Sequence, residues 1–332
     1  MVHSYFFYLV AYLIIFFIIY NISKKLNFYD HPNYRKIHKI KIINTGGISI
    51  YIFYLFIMQN NELNFFIKSI ILSGSLIVII GFVDDRKNLS PILKLFAMSL
   101  PSIYLISEGL ILENLGNYDF FGTINLGMYS IIITFVAVLL LINSINYIDG
   151  ADGLLLGYIL ITLLYYLLII NDINLQNLLI LMTIPVCVNL IFNILPAKNN
   201  FKIFNGDCGS LFFGFFISFF SIYINLKLSI HPIYIIWPLW LPVYDFLFVT
   251  IERIINKEKF YKPSKKHIHH LLLAYFNHNQ LKTTLILCAA NIIVIILGFY
   301  LSKYNKDVSA VIFCIFFILF FFSRKISLKI IK

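Results

Sequence analysis

Residues 127–170 read GMYSIIITFVAVLLLINSINYIDGADGLLLGYILITLLYYLLII. Two nearly unbroken apolar runs, 127–142 and 153–170, flank a polar break that carries Asn143, Asn146, Asp149 and Asp152. About 20 apolar residues cross the roughly 30 Å of hydrocarbon in a bilayer when coiled as a helix. In lipid the run must be helical, because an unpaired backbone group there has no water to bond. The stretch therefore predicts a membrane helix, a polar turn and a second membrane helix.

The same reading extends in both directions. Apolar runs fall at 5–22, 45–59, 65–83, 91–110, 127–142, 153–170, 177–195, 208–226, 231–251, 282–301 and 307–323. The expected fold is all-α and polytopic, with about eleven transmembrane helices in a single domain, 1–332. Composition agrees: 60% of residues are hydrophobic and 12% charged, against about 25% charged in soluble domains. So few charges do not cover a water-soluble protein of 332 residues.

The net charge of +11 comes from Lys and Arg in short loops rather than on one soluble face, which argues against a nucleic-acid partner. Eleven crossings place loops 23–44, 84–90, 143–152, 196–207 and 252–281, with the tail after 323, on one side. With Lys94 and Lys282 at its flanks, that side holds 22 of the 26 Lys and Arg; Lys68, Lys227, Lys303 and Lys306 are left on the other. The excess marks the first side as cytosolic and puts the amino terminus outside. The first Lys, Lys24, follows the first apolar run, which is not the order of a cleavable signal peptide. Cys187, Cys208, Cys288 and Cys314 form no CxxC pair, so neither a disulfide framework nor a zinc ribbon is expected.

Asp84, Asp85, Asp149, Asp152, Asp207 and Asp245 all fall at or near cytosolic helix ends. Carboxylates beside hydrocarbon point to function, and several loops supplying them on one face suggest one constellation around a cation. In Gly81–Lys94 the adjacent Asp84 and Asp85 repel unless they share a cation or proton, and Lys94 is a plausible phosphate partner. In Asn143–Leu154, Asn143, Asn146 and Asp149 recur every three residues, near one helical face, and offer the oxygen ligands that Mg²⁺ prefers. An EF-hand is excluded, because its twelve-residue ligand pattern and final Glu are missing. Phe204–Leu211 opens an apolar helix with Asp207 between glycines; it fits either a phosphate at a helix start or a simple cap. His267, His269 and His270 lie in a loop with Arg253, Lys257, Lys259, Lys262, Lys265 and Lys266. Zinc is one reading of that loop, and an anionic ligand suits its charge better. The segment Asp30–His38, leading to Gly46-Gly47, adds further basic residues on the same side.

With these motifs in this order from Asp30 to His270, about three quarters of the chain, the sequence resembles the polyprenyl-phosphate N-acetylhexosamine-1-phosphate transferases. Within that family it looks more like the UDP-GlcNAc:undecaprenyl-phosphate enzymes than the phospho-MurNAc-pentapeptide translocases. The resemblance implies transfer of GlcNAc-1-phosphate from a UDP-N-acetylhexosamine to undecaprenyl phosphate, with release of UMP, at the cytosolic face of a bacterial inner membrane. Another UDP-N-acetylhexosamine or the phospho-MurNAc-pentapeptide is the alternative donor. It implies Mg²⁺ (or Mn²⁺) as cofactor, membrane lipid as surroundings and room for a homodimer. It casts Asp84 and Asp85 as the pair near the acceptor phosphate, one as base, and Lys94 as a phosphate contact. Asn146 and Asp207 match metal ligands, Asp152 and Phe204 the uracil site, and Asp149 an essential carboxylate. His267, His269, His270 and Arg253 match the loop that reads sugar and pyrophosphate. Ile43 stands where the family usually has Pro, and Ser264 where Asp is common.

Other classes fit less well. A lipid or solute transporter would set ionisable groups near mid-membrane, whereas these sit at one end. A CDP-alcohol phosphotransferase needs an Arg after its aspartates, which Asp149-Gly150-Ala151-Asp152 lacks. The topology is open to direct test in a cysteine-free background. Asn117→Cys should react with an impermeant thiol reagent in intact cells, and Ser264→Cys only after lysis; labelling of both from one side defeats the assignment.

Overall fold

The computed structural model describes residues 2–32, 40–258, 264 and 266–330. The expectations on Asn33–His38, Lys259, Lys262 and Lys265 lie outside the described residues. Every one of the eleven apolar runs is helical. Among the described residues, eight spans are long and apolar enough to cross a membrane: α1 (Val2–Lys25), α3 (Phe65–Lys87), α5 (Ser130–Ile148, entered by a 3₁₀ turn), α7 (Ile173–Asn193), α8 (Gly206–Leu228), α10 (Trp240–Ile255, continuing α9, Pro232–Ile236), α12 (Gln280–Tyr304) and α13 (Lys306–Ile330). The other three, α2 (Gly46–Asn60), α4 (Pro91–Ser107) and α6 (Leu154–Ile169), are apolar helices of 15, 17 and 16 residues. The chain is thus an all-α polytopic membrane protein; among the described residues eight helical spans are of crossing length and three apolar helices are shorter, so the expected count of about eleven crossings is not established.

Some boundaries lie beyond the apolar runs. The run ending at 142 continues as a helix to Ile148, and within it the Asn143 Nδ2 donates to the Leu139 carbonyl at 2.7 Å. Asn143 and Asn146 are therefore on a helix, not in a loop. Asp84 and Asp85 likewise belong to the last turn of α3 rather than to the loop 84–90.

Among the described residues, two small sheets accompany the helices. At the end that carries the aspartates, β2 (Ile42–Asn44) pairs antiparallel with β1 (Tyr29–Asp30) and parallel with β5 (Ile203–Phe204). This ties the segment before α2 to the segment before α8. At the far ends of α4 and α5, β3 (Asn114–Tyr118) and β4 (Gly122–Asn125) form a hairpin. Its turn is fixed by the Asp307 carboxylate, which accepts from the Asp119 and Phe120 amides at 3.0 Å each. A short helix, α11 (Ile268–Tyr275), completes the order between α10 and α12.

The centre is α8, apolar on all sides and buried from Cys208 to Ile224, as a helix surrounded by other helices must be. It packs on α2, α3 and α5. Lipid offers no hydrophobic drive for helices to associate, so close approach at small residues supplies the contact. A Cβ on Gly47 of α2 would lie 2.5 Å from the Gly209 Cα, and one on Gly81 of α3 would lie 2.5 Å from the Cys208 amide nitrogen. Both neighbours are backbone, which cannot swing aside. Gly47→Ala should therefore destabilise the protein by about 1–3 kcal/mol, the range for overpacking. Thermal unfolding in detergent checks this, and an unchanged midpoint would contradict the packing.

Candidate active site

The turn after α3 brings its two aspartates to different partners. Asn88 ends the helix in the left-handed region (φ 49°), and Ser90 caps α4 by accepting from the Leu93 amide at 3.3 Å. This folds the first turn of α4 back, so the Lys94 Nζ reaches the Asp84 Oδ2 at 2.6 Å. The Asp84 Oδ1 accepts from the Leu89 amide at 2.7 Å. Asp85 turns the other way. Its oxygens accept from the Asp207 and Cys208 amides at 3.0 and 3.4 Å, capping α8 from a neighbouring helix. Gly206 makes room with φ 64°, since a side chain there would collide with the Asp85 carboxylate.

The start of α8 is therefore occupied by a carboxylate of this chain. Neither sequence reading of Asp207 holds in simple form. It is not the cap, because Asn205 stands at that position and makes no side-chain cap bond. The first amides of the helix, expected to face a phosphate, are taken by Asp85. Asp207 instead accepts at Oδ2 from Lys94 at 3.0 Å and at Oδ1 from the Asn146 Nδ2 at 2.7 Å. Asn146 also donates to the Ser210 Oγ at 2.7 Å. Asp84, Lys94, Asn146 and Asp207 thus form one connected group from α3, α4, α5 and α8. It opens into a cavity of about 230 Å³, which Asp84, Lys94 and Asn146 share with Leu95, Tyr147 and Phe246.

A second group lies beside it. Asp149 ends α5, and its carboxyl is pushed up to about 7, first by burial and then by the charges of Asp207, Asp152 and Asp30. The Asp152 Oδ2 accepts from the Lys202 Nζ at 2.7 Å. Lys202 also donates to the Asn193 and Leu195 carbonyls at 2.6 and 2.8 Å, and its ammonium lies 5.6 Å from the Phe204 ring centre. Lys202 thus joins Asp152 to Phe204.

The histidines form a third group. The Asp245 carboxylate accepts from the His267 Nδ1 at 2.7 Å and from the Ile268 amide at 2.8 Å. The rings of His267 and His269 stack 5.9 Å apart at 7°, with His270 4.2 Å from His269. His269 is buried against Gly150. Burial, followed by the charges of His270, His267 and Arg324, holds its imidazole well below the usual range. Tyr147 lies 5.2 Å from His267, and Arg253 is buried in the last turn of α10. All the site residues named from the sequence gather at one end of the helices.

The sequence model described as "Glycosyl transferase family 4" matches residues 67–225. The chain is 30% identical to the probable undecaprenyl-phosphate N-acetylglucosaminyl 1-phosphate transferase of Bacillus subtilis, over 80% of this chain and 75% of the relative. The chain belongs to glycosyl transferase family 4. It is also 27% identical to the undecaprenyl-phosphate alpha-N-acetylglucosaminyl 1-phosphate transferase of Yersinia pestis, over 95% of this chain and 89% of the relative. To the Escherichia coli K12 protein of that name it is 28% identical, over 91% and 83%. The matched family region contains every residue of the first two groups and stops short of the histidines.

As a family 4 site, the first group has the donor chemistry for a hard cation. Asp207 and Asp84 supply carboxylate oxygens, and the Asn146 amide oxygen has no hydrogen-bond donor among the described residues. The described residues contain no cluster of three or more His, Cys, Asp or Glu able to hold a metal by themselves. Mg²⁺ fits this, because it is commonly held by one or two carboxylates and completed by substrate phosphates and water.

Lys202 and Arg324 were not among the sequence-derived site residues, and Asp245 stood out only as a carboxylate at a cytosolic helix end, with no role. Lys202 had a visible signal, two positions before Phe204, but it was counted only as loop charge. Lys202→Met would leave a carboxylate and two carbonyls without their donor. Removing one partner of a buried pair costs about 3–5 kcal/mol, and the Asp152 side chain is 24% exposed, so a loss of about 3 kcal/mol is expected. Denaturant unfolding in detergent measures it, and stability equal to wild type would contradict the junction.

Proposed function

We propose that this chain transfers N-acetylglucosamine 1-phosphate from UDP-N-acetylglucosamine to undecaprenyl phosphate, releasing UMP, with its site on the cytosolic side of the cytoplasmic membrane. The observation that carries this is Lys94 held between Asp84 and Asp207 at 2.6 and 3.0 Å, at the ends of membrane helices in a family 4 chain. The names of the relatives support the acceptor and the sugar phosphate. The distribution of Lys and Arg supports the orientation.

In the proposed reaction, an oxygen of the lipid phosphate attacks the phosphorus next to the sugar. The bond from that phosphorus to the UMP oxygen breaks, leaving a lipid pyrophosphate linked to the sugar. Both reactants are anions, so their repulsion is a large part of the barrier. Mg²⁺ bound through Asp207 and Asn146 would neutralise the pyrophosphate and polarise the bond that breaks. Lys94 adds a positive charge fixed in place before reaction. Asp84 lines the cavity while Asp85 is engaged by the amides of α8, so Asp84 is read as the base of the pair. Asp152 and Phe204, joined by Lys202, are read as the uridine site. Asp149 is read as an essential carboxylate beside the metal group. Arg253, His267, His269 and His270 are read as contacts to sugar and pyrophosphate. A cavity beside membrane helices lets a lipid-borne acceptor meet a water-soluble donor.

Purified protein with undecaprenyl phosphate and Mg²⁺ should form lipid-linked product and UMP, preferring UDP-N-acetylglucosamine among UDP-sugars. No transfer from any UDP-N-acetylhexosamine overturns the proposal. Asp207→Asn should lower turnover by about 10²–10³-fold, the scale of losing one preorganised electrostatic partner, with thermal unfolding unchanged. Near-normal turnover in this variant at moderate Mg²⁺ excludes Asp207 as a ligand.

A further inference from the structure

The carboxylate that holds His267 is itself held from the far end of the chain. Arg324 lies in α13, well beyond the region matched by the family. Its Nη2 donates to the Asp245 Oδ1 at 3.0 Å and to the Lys266 carbonyl. The guanidinium carbon lies 4.9 Å from the Phe248 ring centre and 5.8 Å from that of Phe320. The Arg324 and Asp245 side chains are only 5% and 7% exposed, so this is not the loosely solvated tail charge that the sequence suggests.

Geometry fixes what the cluster does. A carboxylate only accepts, so the proton on His267 sits on Nδ1 and Nε2 is presented away from Asp245. The Ile268 amide is the first of α11, so Asp245 caps that helix from α10. Arg324 neutralises the buried carboxylate and pins the backbone one residue before His267. Three elements far apart in sequence (α10, the start of α11, and α13) thus meet at one carboxylate. The guanidinium is also rigid, with aromatic faces on which it can stack.

We propose that Arg324 is a positioning residue for the donor site: through Asp245 and the Lys266 carbonyl it sets the place and tautomer of His267 and the stack of histidines that follows. The proposal rests on reading those histidines as contacts to the sugar and pyrophosphate. Arg324 touches no substrate in this account.

The test uses the full-length protein in detergent with undecaprenyl phosphate and UDP-N-acetylglucosamine. Arg324→Met should raise KM for the donor and lower kcat/KM by about 10–100-fold, the scale of a misplaced contact. Inhibition by UMP should change by less than about threefold, since UMP lacks the parts these histidines would meet. The double variant Asp245→Asn with Arg324→Met should recover part of the loss, because the neutral amide no longer needs a counter-charge. Trypsin cleavage after Lys266, followed by mass spectrometry, should accelerate in Arg324→Met, because the carbonyl of that bond is released. If that variant does not fold, Arg324→Lys carries the same split with a smaller loss, about 3–10-fold.

Three outcomes overturn the proposal. One is a lowered melting temperature with kcat/KM per folded molecule unchanged. Another is UMP affinity falling as steeply as kcat/KM. The third is a wild-type cleavage rate after Lys266 in the variant. Absence of transfer by the wild type defeats the functional reading instead, and the cleavage arm then decides the positioning role alone.

Discussion

Asp85 capping α8 is the contact on which the rest of the site depends. A helix start leaves amide groups without internal partners, and water is scarce between packed membrane helices. Here α3 supplies the acceptor, at 3.0 and 3.4 Å, while Gly81 lets the two backbones meet. This fixes the first turn of α8 and with it the direction in which Asp207 points. Asn146 and Lys94 then reach Asp207 from α5 and α4. The same device recurs at α11, whose first amide is capped by Asp245 from α10. In both places one helix holds the start of another by a carboxylate.

The charge balance at this end follows from the same packing. Asp84 and Asp207 share the single ammonium of Lys94, and Asp149 adds a third carboxyl nearby. Like charges in partly buried surroundings raise the free energy of the ionised state unless a cation joins them. A surplus of carboxylate next to a lysine suits a site where a divalent cation arrives together with a phosphorylated ligand. It is a poor site for a free anion. The second group has the opposite arrangement, with Lys202 matched to one carboxylate and two carbonyls. Its charge is balanced within the group, without a surplus carboxylate.

Most of the helical fold was legible because the lipid requirement is severe: long apolar runs have only one way to satisfy their backbone. Helix ends were less legible, since α5 runs on through the polar Asn143 and Asn146 to Ile148. The strands were not legible at all. At two to five residues they are too short to display an alternating pattern. Asp84, Lys94, Asn146 and Asp207 stood out because each is polar where hydropathy predicts the membrane boundary. Arg324 did not, because a basic tail after the last span already explains a cation there. Its role depends on a carboxylate 79 positions earlier, a distance at which sequence spacing carries no information. The division of labour between Asp84 and Asp85 was equally hidden, since neighbours on a helix end differ only in which way they point.

The link between Asp245 and Arg324 also bears on the order in which the protein matures. Ribosomes deliver the chain from its amino terminus, so α3, α5 and α8 are in the membrane well before α13 emerges. Until then Asp245 is a carboxylate inside a helical bundle without its arginine, and the segment after Lys266 has no anchor from that side. The histidine end of the site is thus anchored only once α13 has been synthesised. A nascent or prematurely terminated chain can carry every aspartate of the site and still lack an ordered histidine segment. Synthesis itself keeps that segment without its arginine until α13 is in the bilayer.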